Sequence, residues 1–129
     1  MARLQLLLTD DRSIVHDPSI GDIDTALRTL FSKTESWATI SRGPYDYVTT
    51  KGSEEKGFFL ECEMGSLDIH YRAKNKVDID AVIRVFQGYA RQEEESWFSD
   101  FEWETVRLND IDYKRMPKSF QIEPNLLSN

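Results

Sequence analysis

Between residues 37 and 73 apolar residues fall at alternate positions, and a two-residue period sustained that long admits little besides antiparallel β-strands. Four segments carry it: WATISRG (37–43), YDYVTT (45–50), GFFLECEM (57–64) and LDIHYRA (67–73), all rich in aromatic or β-branched residues. Gly43-Pro44 and the polar stretch 52–57 separate them as loops, and Gly65-Ser66 has the chemistry of a two-residue hairpin turn with glycine first. That turn sets Glu63 opposite Asp68, Cys62 opposite Ile69 and Glu61 opposite His70. Phe58, Leu60, Cys62, Met64, Leu67, Ile69, Tyr71 and Ala73 then share a core face. Glu61, Glu63, Asp68, His70 and Arg72 share the other, which reads as wet and mostly acidic.

Helical periods flank this block. Asp17-Pro18-Ser19 opens the first helix with a cap and a proline tolerated in the first turn, and Ser19 with Asp22 resembles a capping box. Ile20, Ile23, Ala26, Leu27, Leu30 and Phe31 follow at three- and four-residue steps. A second helix starts at Asp78, carries the stripe Ile79, Val82, Ile83, Phe86 and Ala90, and ends near Arg91. Residues 3–9 read as a first strand, and 97–108 return to period two through Phe101, Trp103 and Thr105. The order predicts an α+β fold: one domain over residues 1–108, a mostly antiparallel sheet of about five strands with two amphipathic helices packed on one face, and a partly ordered tail over 109–129.

Composition narrows the function. A chain of 129 residues with 40% hydrophobic residues can bury about two-thirds of its unfolded surface without disulfides or a structural metal. The single Cys62 cannot form an internal bridge and implies a reducing compartment, and the one short apolar run, Leu6 to Leu8, is neither a signal core nor a span. The expected location is therefore the cytoplasm. A net charge of −7 argues against direct nucleic-acid binding and against an anionic membrane, and leaves a basic protein as the natural partner.

Chemistry-bearing motifs are sparse. There is no glycine-rich phosphate loop, no nucleophile elbow and no zinc-ligand spacing, so no cofactor or metal is expected. Cys62 falls on the apolar side of its strand and reads as a core thiol. His70 with Glu61 and Asp68 is the one constellation suited to acid–base work, against the plainer reading of a surface ion pair. The segment 93–104 is the sharper signal, because Glu93, Glu94, Glu95, Asp100, Glu102 and Glu104 stand there with no base among them, interleaved with Trp97, Phe98, Phe101 and Trp103. Phe101 and Trp103 read as core and Trp97, off the helix stripe, as the interface aromatic. Tyr45 and Tyr47 read as edge-strand packing.

DPSIGDIDTALRTL (17–30), VDIDAVIRVFQGYA (77–90) and FEWE (101–104) together resemble the small α+β immunity proteins of bacterial polymorphic-toxin and contact-dependent inhibition systems. The resemblance covers about residues 3–108 and departs from the family at AKNKVD, where a glycine-rich strand pair is expected. It implies a non-catalytic protein that binds and neutralises a cognate toxin. The expected contact set is Glu61, Glu63, Asp68 and His70 on the sheet with Glu93, Glu94, Glu95, Trp97, Asp100, Glu102 and Glu104 after the second helix. A small enzyme using His70, Glu61 and Asp68, and an acidic nucleic-acid mimic, are the alternatives.

Overall fold

The computed structural model describes residues 4–9, 13–32, 35–65 and 69–107, and the tail expected from 109 lies outside them. The architecture is α+β: a seven-stranded antiparallel sheet with three helices, where the sequence leads one to expect about five strands and two. In chain order the elements are β1 (Gln5–Leu8), β2 (Ile14–His16), α1 (Ile20–Phe31), β3 (Ser36–Gly43), β4 (Asp46–Ser53), β5 (Gly57–Met64), β6 (Ile69–Ala73), α2 (Ile79–Ala90), α3 (Glu94–Phe98) and β7 (Trp103–Arg107). Across the sheet they run β2-β1-β3-β4-β5-β6-β7, so β3 to β6 form a meander that β1 and β7 flank.

The helix starts follow their caps. The Ser19 hydroxyl accepts from the Asp22 amide and the Asp22 carboxylate accepts from the Ser19 amide, each at 3.0 Å, closing a reciprocal capping box. The Ser19 amide first, and the Ser19 hydroxyl second, hold the exposed Asp22 carboxyl below its ordinary value. Asp78 caps α2 by accepting from the Ala81 amide at 2.9 Å. The apolar stripes of both helices meet one face of the sheet, where Ile23, Leu27, Leu30, Val82, Val85 and Phe86 join Leu6, Ile40, Val48, Phe58, Leu60 and Cys62 in one core. Burial of that many aliphatic and aromatic side chains, each stabilising by about 1.5–3 kcal/mol, is the main favourable contribution to the fold.

The 57–73 hairpin departs from expectation in its register. Glu61 pairs with Arg72 and Cys62 with Tyr71, two residues away from the pairing that a two-residue Gly65-Ser66 turn imposes. A slip of two leaves every side chain on its expected face, so the division into faces stands while the cross-strand partners change. Met64, expected in the core, is exposed. Leu67 and Asp68 lie outside the described residues.

The second departure follows α2. Arg91 ends that helix, Gln92 takes a left-handed conformation at φ 62°, and the amides of Gln92 and Glu93 donate to the carbonyls of Tyr89 and Gly88 at 3.1 and 2.9 Å. This is a Schellman closure, and it turns the chain back on the helix it has just left. The short α3 results, its last two residues lying where the period-two segment 97–108 is expected to begin, and Trp97 folds onto Gly88 to become 2% exposed, among the Tyr89, Phe98 and Trp103 rings. Trp97 is thus a core residue and not an interface aromatic. Gly88, which costs a helix about 1 kcal/mol relative to alanine, is there because a Cβ would stand 2.8 Å from Trp97 Cδ1. Gly88→Ala should therefore lose about 1 kcal/mol or more in urea denaturation instead of gaining helix propensity, and in a Trp97→Leu background the same change should stabilise. A gain in both backgrounds would contradict this packing.

Candidate functional site

Polar side chains crowd the sheet face turned away from the helices, and there the expectation of a wet acidic surface fails. Thr39 and Ser41 on β3, Tyr47 and Thr49 on β4, Glu61 and Glu63 on β5 and His70 on β6 are all buried, with Glu63 and His70 each 1% exposed. Alternation shows which residues share a face; it carries no information on whether that face is covered. Tyr47, expected at an edge, sits in a central strand at 0% exposure.

These groups form a connected set. His70 lies between two carboxylates, with Nε2 3.7 Å from Glu61 Oε2 and Nδ1 3.9 Å from Glu63 Oε1. Its Nδ1 is 3.2 Å from Tyr47 Oη, and Tyr47 Oη stands 3.4 Å from Glu63 Oε1. Burial and the neighbouring Glu63 and Glu61 charges push the Tyr47 hydroxyl far above its ordinary range, so it keeps its proton and donates it to Glu63. Its oxygen then accepts from Nδ1–H, and the imidazole is a donor at that nitrogen. Glu61 turns its other oxygen to Arg72, whose Nε donates at 3.2 Å, and Arg72 Nη1 reaches Glu104 at 3.6 Å. Charges thus alternate in sign across β5, β6 and β7.

Desolvation by itself would lower the His70 pKa, but the contacts with Glu61 and Glu63 outweigh it, and the imidazole titrates above its ordinary 6.5. Buried carboxylates need such a partner, because an unpaired charge in this layer would cost several kcal/mol. Two buried atoms of this set, Glu63 Oε2 and His70 Nε2, have no hydrogen bond among the described residues, so the set is held by charge more than by directed bonds. A general base has to reach its substrate, and His70 at 1% exposure does not. Cys62, on the opposite face, is likewise buried, with its thiol pushed well above the ordinary range by burial first and the nearby carboxylates second, which removes nucleophilic character. Among the described residues no group of three His, Cys, Asp or Glu side chains is arranged to hold a metal ion, and no helix is long and apolar enough to cross a membrane.

The second expected set behaves differently. Glu93, Glu95, Asp100, Glu102 and Glu104 are all exposed, on α3, the turn after it and β7; the side chain of Glu94 lies outside the described atoms. Asp100 meets Arg84 at 3.8 Å, Glu102 meets Lys74 at 4.0 Å and Glu104 meets Arg72 at 3.6 Å, whereas Glu93 and Glu95 have no ion-pair partner among the described residues. Such long, solvated pairs contribute about 1 kcal/mol or less and leave the carboxylates free to exchange partners. Phe101 and Trp103 pack on the core as expected, with Trp103 stacked on Phe98 at 4.7 Å and its indole N–H donating to the Phe98 carbonyl at 2.7 Å. The two acidic sets thus differ in burial: Glu61, Glu63 and His70 are internal, the described carboxylates of 93–104 are exposed, and Arg72 stands between Glu61 and Glu104. Asp68 lies outside the described residues.

One further feature escapes sequence reasoning, a groove of about 460 Å³ on the polar face, lined by Lys51, Lys56, Arg72 and Lys76 with Glu35, Thr49, Phe59 and Glu61. Its cations are scattered between residues 51 and 76, so no local run betrays it. Comparison with protein-family models, with curated proteins and with solved structures finds no match to the chain.

The charged layer makes stability depend on pH with a defined sign. Because the folded imidazole titrates above its unfolded value, the stabilisation is complete below about pH 6.5 and is lost as pH rises through the folded pKa. The urea midpoint should fall from pH 6 towards alkaline pH in the wild type, and that fall should flatten in His70→Gln. An equally steep fall in the variant would remove His70 from the account.

Proposed function

We propose that the protein is a non-catalytic inhibitor of the immunity type, binding a basic toxin through the exposed acidic strip on α3, the following turn and β7. The observation that carries this reading is the concentration of six acids and no base within residues 93–104, with five of those side chains at the surface. A protein that attacks nucleic acid presents a cationic cleft, and a rigid acidic edge gains from it both faster encounter and exclusion of substrate. The turn that fixes this edge is anchored by Trp97 in the core, so the acids are presented on a preorganised support.

The layout adds support. The chain begins with a strand and a capping-box helix and ends with a second helix and an aromatic strand, the layout on which the resemblance to small α+β immunity proteins rests. The internal pairing of His70, Glu61 and Glu63 speaks for a binding role over acid–base chemistry, since these groups are engaged with one another. An acidic nucleic-acid mimic needs an uninterrupted row of carboxylates spaced like phosphates, whereas Asp100, Glu102 and Glu104 each have a cation, Arg84, Lys74 and Arg72, within 4.0 Å.

Co-expression with the C-terminal domain of a secreted toxin encoded beside this chain should relieve growth arrest. Glu95→Lys with Glu102→Lys should slow association with that domain about tenfold or more at low salt and flatten the salt dependence. Protection without complex formation, or an association rate indifferent to both charge reversals, would overturn the proposed surface.

A further inference from the structure

The groove on the polar face concentrates positive charge in a chain that is otherwise acidic. Lys51 and Phe59 reach it from β4 and β5, Arg72 from β6, Lys56 from the β4–β5 turn and Lys76 from the segment after β6. Four cations against the two lining carboxylates, Glu35 and Glu61, leave two positive charges unbalanced. Lys56 Nζ lies 3.7 Å from Glu35 and Arg72 is held by Glu61 and Glu104, but the Lys51 ammonium makes no ion pair or hydrogen bond among the described residues. Lys76 donates to the Lys56 carbonyl at 3.3 Å and holds its ammonium 5.0 Å from the centre of the Phe59 ring. The neighbouring hollow, lined by Glu35, Glu54, Glu55 and Lys56, is acidic, which confines the positive potential to the groove.

The backbone around the groove is built to be tight. Gly52 adopts φ 155°, and a Cβ there would stand 2.1 Å from the Gly57 carbonyl oxygen; Gly57 itself adopts φ 87°. Both positions therefore require glycine: Gly52 lets the ends of β4 and β5 close up, and a Cβ at Gly57 would stand 3.4 Å from Lys76 Cβ, so that Lys51, Lys56 and Lys76 line one groove. Phe59 is 42% exposed, one of the few large apolar side chains at the surface.

Converging ammonium groups suit a compact polyanion, for which lysine acts as an adjustable point charge. An exposed aromatic ring beside them suits a planar ring system, which gains by stacking. The volume falls within the range of about 300–1,000 Å³ found for small-ligand clefts. We propose that this groove binds a nucleoside phosphate, with Lys51, Lys56 and Lys76 on the phosphate groups and the base against Phe59. The groove meets the acidic strip at Arg72, which also pairs with Glu104, but Lys51, Lys56, Lys76 and Phe59 lie outside the strip, and the proposal stands whether or not the strip binds a toxin.

Titration of the ¹⁵N-labelled full chain with adenosine 5′-diphosphate, adenosine and inorganic phosphate in separate arms tests it. The diphosphate should give saturable amide shifts at Lys51, Gly52, Gly57, Phe59 and Lys76, and adenosine alone should give none. Lys51→Glu with Lys76→Glu should weaken the diphosphate about tenfold or more, and Phe59→Ala should weaken it several-fold while leaving the weaker response to inorganic phosphate unchanged. These three residues are solvent-facing, and unchanged thermal unfolding of the variants checks that the fold persists. Absence of saturable shifts at millimolar diphosphate, an affinity indifferent to the double charge reversal, or inorganic phosphate binding as tightly as the diphosphate would overturn the proposal.

Discussion

The burial of His70 between Glu61 and Glu63 is the constraint on which the polar half of the sheet depends. Two carboxylates on one strand, at 7% and 1% exposure, are tolerable only if positive charge is delivered to them. The imidazole supplies it from β6, Arg72 supplies more to Glu61, and the Tyr47 hydroxyl fixes the donor at Nδ1. The resulting lattice ties β4, β5 and β6 together by side chains as well as backbone. On the opposite face the same strands are joined by contacts of Phe58, Leu60 and Cys62 with α1 and α2. Both faces of these strands are thus buried, one in the hydrophobic core and the other with its charges compensated.

How far this could be read in advance differs from element to element. Ser19 with Asp22 and Asp78 signal helix starts by chemistry that is wholly local, and both act as caps in the structure. The four meander strands are legible from their period, and the shared faces follow from it. The register of the hairpin was not legible, because Gly65-Ser66 fits a tight turn locally and only the full set of cross-strand contacts decides the pairing. The three residues of β2 and the five of α3 are too short to display a period. Trp97 looked exposed since its position is decided by a left-handed Gln92 and the vacancy at Gly88, neither of which has a pattern in sequence.

The same distinction governs the functional residues. Residues 93–104 are acidic by simple inspection, and their exposure follows once the aromatic residues among them turn inward. Glu61, Glu63 and His70 were equally visible as residue types, yet their role changes from surface to interior because pairing, and not polarity, determines whether a charged group is buried. The net charge of −7 is therefore a property of the α3–β7 surface more than of the sheet. Against it, the gathering of Lys51, Lys56, Lys76 and Arg72 around one groove arises from two strands, a turn and a loop, and appears only when the chain is folded.

The charge state of His70 is the most direct measure of this account, and it is accessible by following the imidazole resonances of the folded protein as pH is varied. A compensated layer requires a titration midpoint above 6.5, with Nδ1 still protonated at the upper end of the transition because Tyr47 accepts from it. A midpoint at or below 6.5 would mean that desolvation prevails over the two carboxylates, and the charged layer described here would be contradicted.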